Sequence, residues 1–64
     1  MSVQSKIKDA RKTKGLTQKQ LADRLGVTQA TVGQYETNKQ PPKLSTLFKI
    51  ATALGVSVSD FIID

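Results

Sequence analysis

The chain has 64 residues, ten of them Lys or Arg against five Asp or Glu, and it contains neither cysteine nor histidine. That length allows a single domain, residues 1–64, able to bury only about 60% of its unfolded surface. The missing thiols and imidazoles exclude disulfides, thiol nucleophiles, imidazole bases and the usual zinc ligand sets together, which argues against a metal or catalytic site. No cofactor or small-molecule substrate is expected either.

No apolar run approaches the ~18 residues of a membrane span, and Met1-Ser2-Val3-Gln4-Ser5-Lys6 lacks the apolar stretch of a secretory signal. The expected location is therefore the cytoplasm, with no membrane partner. The charge is one-sided. Lys6, Lys8, Arg11, Lys12, Lys14, Lys19 and Arg24 fall in residues 1–32 with only Asp9 and Asp23, so that half is formally +5 while residues 33–64 are neutral. Such a field suits a polyanion, although basic composition also serves plain solubility.

In chain order, Val3, Ile7 and Ala10 recur at i, i+4 and i+7 and predict a first helix, capped by Ser2 and closed at Gly15. Thr17 with Gln20 forms a capping box for a second helix. On it Leu21, Ala22 and Leu25 make an apolar stripe, and Ala22 is small enough to let another helix cross closely. Gly26 ends that helix, where the backbone needs φ > 0. Thr28 caps a third, with Val32 and Tyr35 on its inner face. Thr28, Gln29, Ala30, Gly33 and Gln34 are left to point outward. Two short helices hinged at a glycine, the second with short or amide-bearing groups outward, make a helix-turn-helix.

Residues 37–43 read as a loop by their prolines, with Asn38 as the left-handed residue that ends the third helix. Leu44, Leu47, Ile50, Ala51 and Leu54 then form the stripe of a fourth helix, stopped at Gly55. Ser57 with Asp60 offers a last capping box ahead of Phe61 and Ile62, predicting a short fifth helix. The expected fold is all-α, a compact five-helix domain whose second and third helices form the helix-turn-helix.

The outward groups suit base reading. A glutamine amide pairs with the N6 and N7 edge of adenine, which makes Gln29 and Gln34 the leading candidates, while Thr28 and Ala30 suit a thymine methyl. Gly33 permits close approach but offers no side chain, and it costs about 1 kcal/mol of helix propensity. The plainer readings are that the amides are solvated and that Thr28 is only a cap.

Leu16-Thr17-Gln18 with Leu21-Ala22, Leu25-Gly26-Val27-Thr28, Val32 with Tyr35-Glu36, and Leu47, Ile50-Ala51 and Leu54-Gly55-Val56 together resemble the DNA-binding domains of the lambdoid phage repressor and Cro family. The resemblance covers essentially the whole chain. It implies a transcriptional regulator, in the first instance a repressor, and not an enzyme. It also implies two subunits on double-stranded DNA with third helices in successive major grooves about 34 Å apart, and so a near-palindromic operator.

By the same resemblance Gln18, at the start of the second helix, holds a backbone phosphate, and Asn38, Lys39, Gln40 and Lys43 are further phosphate candidates. Arg11 and Glu36 match a structural ion pair that ties the first helix to the end of the third. Lys43 departs from the family's capping serine, so the fourth helix is expected to start less firmly. Tyr35, Phe48 and Phe61 read as core or dimer-contact aromatics. Val56, Val58, Phe61, Ile62 and Ile63 crowd the C-terminus and predict a weak homodimer there, strengthened on DNA. The competing reading is a protein-interaction module, such as an antitoxin, for which DNA binding is secondary.

Overall fold

The computed structural model describes residues 2–62, which form α1 Val3–Thr13, α2 Gln18–Leu25, α3 Gln29–Thr37, α4 Leu44–Leu54 and α5 Ser59–Ile62. Helix starts follow from short polar side chains that satisfy first-turn N–H groups. Ser2 Oγ accepts from Ser5 N at 3.0 Å, and Thr17 Oγ1 accepts from Gln20 N at 3.1 Å. The Gln20 side chain accepts in turn from Thr17 N at 2.9 Å, completing the capping box. Thr28 Oγ1 starts α3 by accepting from Thr31 N at 3.2 Å.

The turn between α2 and α3 depends on Gly26, which sits at φ +71, a conformation that a Cβ would strain. Val27 N then reaches the Ala22 carbonyl at 3.0 Å and Gly26 N the Asp23 carbonyl at 3.3 Å, which closes α2 and turns the chain directly into α3. Left-handed glycines at 15 and 55 end α1 and α4 by the same pair of bonds.

Two ends differ from expectation. Asn38 is extended, at φ −64 and ψ 151, rather than left-handed. Its N–H still closes onto the Gln34 carbonyl at 2.9 Å, but its own carbonyl and that of Lys39 accept from Gln4 Nε2 of α1 at 2.7 and 3.3 Å, a tertiary bond in place of a local cap. At α5, Ser57 Oγ accepts from Ser59 N at 3.3 Å, and Asp60 N goes to the Ser57 carbonyl at 3.0 Å. The expected Ser57 and Asp60 box would need the helix to begin at Val58, one residue before its observed start.

Ile7, Leu21, Ala22, Val32, Leu47, Ile50, Ala51, Leu54 and Phe61 form one buried cluster to which all five helices contribute. Helix α3 packs on α1 and α2, α4 on α2 and α1, and α5 on α1. Leu44 departs from its predicted place in the α4 stripe. It occupies the first helical position and, with Phe48 one turn later, stays more than half exposed. The core takes in more of the C-terminal apolar crowd than expected, since Phe61 is buried and Val56 and Val58 pack against the cluster. Ile62 is left exposed, and Ile63 lies outside the described residues. Among those residues no helix is long and apolar enough to cross a membrane.

Helix α4 is the weakly started element. Lys43 stands at its N-cap without a side-chain bond, leaving first-turn N–H groups to solvent. Lys43→Ser supplies the acceptor and should stabilise the fold by about 1 kcal/mol, raising the thermal midpoint by roughly 4–8 °C in a domain this small. Thermal unfolding followed by circular dichroism checks it; an unchanged or lower midpoint would refute the capping account.

Candidate nucleic-acid interface

Helix α3 fully buries only Val32 and Glu36, with Tyr35 half-buried against the core as its expected place on the inner face implies. Its inner side is thus one aliphatic side chain, one partly covered aromatic and one carboxylate. A buried carboxylate is costly unless paired and hydrogen-bonded. Glu36 has both. Arg11 Nε donates to its Oε2 at 2.7 Å and Arg11 Nη2 to its Oε1 at 3.2 Å, a two-pronged bond that matches guanidinium and carboxylate geometry. Arg11 Nη1 also donates to the Leu16 carbonyl at 2.7 Å, and Gln18 Nε2 to Glu36 Oε1 at 3.1 Å. Arg11 and Glu36 are 7% and 6% exposed, and among the described residues no buried side-chain nitrogen or oxygen lacks a partner. One network thus joins α1, the turn after it, the start of α2 and the end of α3.

This places Gln18 differently from a free first-turn residue. It is half-buried and its amide nitrogen is held by Glu36. That nitrogen carries a second hydrogen, so the network orients the amide without exhausting it. Gly33 also sits differently. It is half-buried, and a Cβ built on it would lie 3.9 Å from both polar atoms of the Gln18 amide, so it lines the crease between α2 and α3. The outer face of α3 therefore consists of Gln29, Ala30 and Gln34, all exposed. Thr28 is exposed beside them, its hydroxyl engaged by Thr31 N and by Thr31 Oγ1 at 2.9 Å.

An open cleft of about 350 Å³ lies between the second half of α3 and the following loop. It brings Gln34 together with Asn38, Gln40 and Lys43, and half-buried Tyr35 forms part of its wall. One base-reading candidate and three phosphate candidates thus share one surface depression. Lys39 is exposed on the same loop but does not line the cleft. Gln4, which ties the loop after α3 to α1, is the residue that sequence reasoning missed. Its contacts span 34 and 35 positions, and no local pattern marks them.

Removing one member of a buried pair leaves the other charged and unpartnered, so Glu36→Ala should cost about 3–5 kcal/mol. An exposed pair would cost no more than about 1 kcal/mol. The double variant Arg11→Met/Glu36→Leu buries neither charge and should be more stable than Glu36→Ala alone. Urea unfolding of the three proteins decides it; a loss under 1 kcal/mol for Glu36→Ala contradicts the burial argument.

Comparison with known proteins agrees with this geometry. The helix-turn-helix family model HTH_3 matches residues 7–61. The chain is 43% identical over 58 residues to the SPbeta prophage-derived HTH-type transcriptional regulator YonR of Bacillus subtilis, a match covering 91% of this chain and 53% of that protein. It is 41% identical over 59 residues to the immunity repressor protein of Bacillus phage phi105, covering 92% of this chain and 41% of that protein. The chain thus spans about half the length of these relatives or less. A crystal structure of an HTH_3 family transcriptional regulator from Vibrio cholerae superposes with a TM-score of 0.83 at 37% identity, covering 94% of this chain and 34% of that one. The residues matched include the buried pair, the glycine turn and the whole of α3, and the chain belongs to the helix-turn-helix family.

Proposed function

We propose that this chain is the sequence-specific double-stranded DNA-binding domain of a transcriptional repressor, acting in the cytoplasm of a bacterium or phage-infected host. The observation that carries the reading is α3 itself. It presents Gln29, Ala30 and Gln34 outward while a buried ion pair fixes its inner side. Amides at this spacing suit adenine edges in the major groove, Thr28 and Ala30 suit thymine methyls, and Gly33 keeps the crease beside them low enough for close approach. Gln18, Asn38, Lys39, Gln40 and Lys43 supply the flanking phosphate contacts, which set orientation rather than sequence preference. The resemblance to named regulators and to a phage immunity repressor supports the same reading.

Selection from a random duplex library should recover a preferred site. On that site Gln29→Ala and Gln34→Ala should each weaken binding by about 1–3 kcal/mol while scrambled duplex is bound almost as before, because amide-to-base bonds carry sequence information. Equal losses on both duplexes refute direct reading, and a protein that selects no sequence refutes the function.

Repression by occupancy calls for two subunits on a near-palindrome with half-sites about 34 Å apart. The C-terminal region, with Ile62 exposed at 52%, is the proposed contact. A patch of this kind is well below the ~800 Å² per partner of a stable interface. The free domain should therefore sediment as a monomer and bind paired half-sites cooperatively, the duplex supplying the effective concentration. A tight dimer without DNA, or equal per-subunit affinity for single and paired half-sites, overturns this assembly.

A further inference from the structure

Among the described residues, the exit from α3 is where a long-range side chain stands in place of a glycine cap. Helices α1, α2 and α4 each end on a left-handed glycine that returns two backbone bonds to the preceding turn. Asn38 is extended instead, and Gln4, in the first turn of α1, donates through Nε2 to the carbonyls of Asn38 and Lys39 at 2.7 and 3.3 Å. Those carbonyls belong to successive peptide planes. Both planes are trans, since no cis peptide occurs among the described residues, and in a trans peptide the N–H points opposite to the C=O. Drawing both carbonyls back toward α1 therefore turns the N–H groups of Lys39 and Gln40 away from it. Neither N–H has a partner among the described residues, and both residues are exposed. Two successive outward N–H groups beside a lysine make an anion-accepting edge.

We infer that Gln4 is a positioning residue for DNA binding: it fixes residues 38–40 so that the backbone of Lys39 and Gln40 and the Lys39 ammonium meet one phosphate together. Gln4 does not itself touch DNA in this account. The inference rests on the DNA-binding reading above, and its effect is distinct from that of the lysine. A mobile loop carries the same charge but holds it in no fixed place, so the phosphate contact is lost although every cation is kept.

The test uses Gln4→Met, which keeps the length and helix propensity of the side chain and removes the donor. In the free protein, ¹⁵N relaxation should show the order parameters of the Lys39 and Gln40 amides falling from about 0.85 toward 0.6 or lower, with the helices unchanged. Gln4→Lys, which restores a donor of slightly longer reach, should return them. On duplex DNA, Gln4→Met should weaken binding by about tenfold and make the slope of log K against log[salt] shallower by about one unit, as for one lost phosphate contact. Lys39→Ala should lower that slope by about one unit in the wild-type background and by nothing further in the Gln4→Met background. A Gln4→Met protein that binds with wild-type affinity and slope overturns the role of Gln4 alone, as does a Lys39→Ala effect of full size in both backgrounds. A wild-type protein that binds no duplex overturns the functional reading and this inference with it.

Discussion

The buried bond between Arg11 and Glu36 is the constraint on which the rest of the molecule depends. Helix α3 has little apolar surface with which to place itself: Val32 alone is fully buried, contributing about 1.5–3 kcal/mol, Tyr35 is only half-buried against the core, and the other fully buried group is a charge. Without Arg11 that charge would be driven to solvent and the helix would rotate or detach. With it, the pair becomes a junction: the carboxylate accepts from the guanidinium of α1 and the Gln18 amide of α2, and the guanidinium reaches on to the Leu16 carbonyl in the turn after α1. A hydrophobic inner face would hold α3 as firmly, yet a stripe of aliphatics slides more easily than a forked bond with one register. The register matters because a small rotation of α3 would carry Gln29 and Gln34 away from the face they share.

Around that fixed helix the outer surface is assembled from groups that add little to the stability of the fold. Gly33 sits inside α3 although glycine there costs about 1 kcal/mol relative to alanine, and the space around it would accept a Cβ at ordinary contact distance from Gln18. Lys43 occupies an N-cap that serine or aspartate would fill better. Both departures fall on or beside the cleft and crease where DNA is proposed to lie, in keeping with a surface shaped for approach and charge. The core is small, and polar bonds extend its order outward: the Arg11 and Glu36 network reaches the end of α3, and Gln4 separately holds the loop after it.

Much of this was legible in the sequence because the signals are local. Ser2, Thr17 with Gln20, and Thr28 start helices through bonds to residues three positions away, and glycines at 15, 26 and 55 end them through φ > 0. The stripe at Leu47, Ile50, Ala51 and Leu54 identified the buried side of α4 by its period alone. What escaped is what depends on distant partners or on the ends of elements. Asn38 has the composition of a left-handed cap, yet its conformation is decided by a glutamine 34 positions earlier. Leu44 fits the helical period but lies at the first helical position and stays exposed. Gly33 reads as outward on a helical wheel, and only the crossing of α2 reveals that it faces Gln18. The pairing of Arg11 with Glu36 rested on family resemblance, since no spacing rule joins residues 25 positions apart.

The central claim is that α3 is locked into the fold of the free domain, and amide hydrogen exchange tests it most directly. If the Arg11 and Glu36 network holds α3 as described, its slowest amides exchange only when the whole domain unfolds, with the same free energy and the same dependence on denaturant as the core of α2 and α4. Exchange of α3 through a separate local opening, at a free energy well below the global value while α1, α2 and α4 stay protected, would contradict the account.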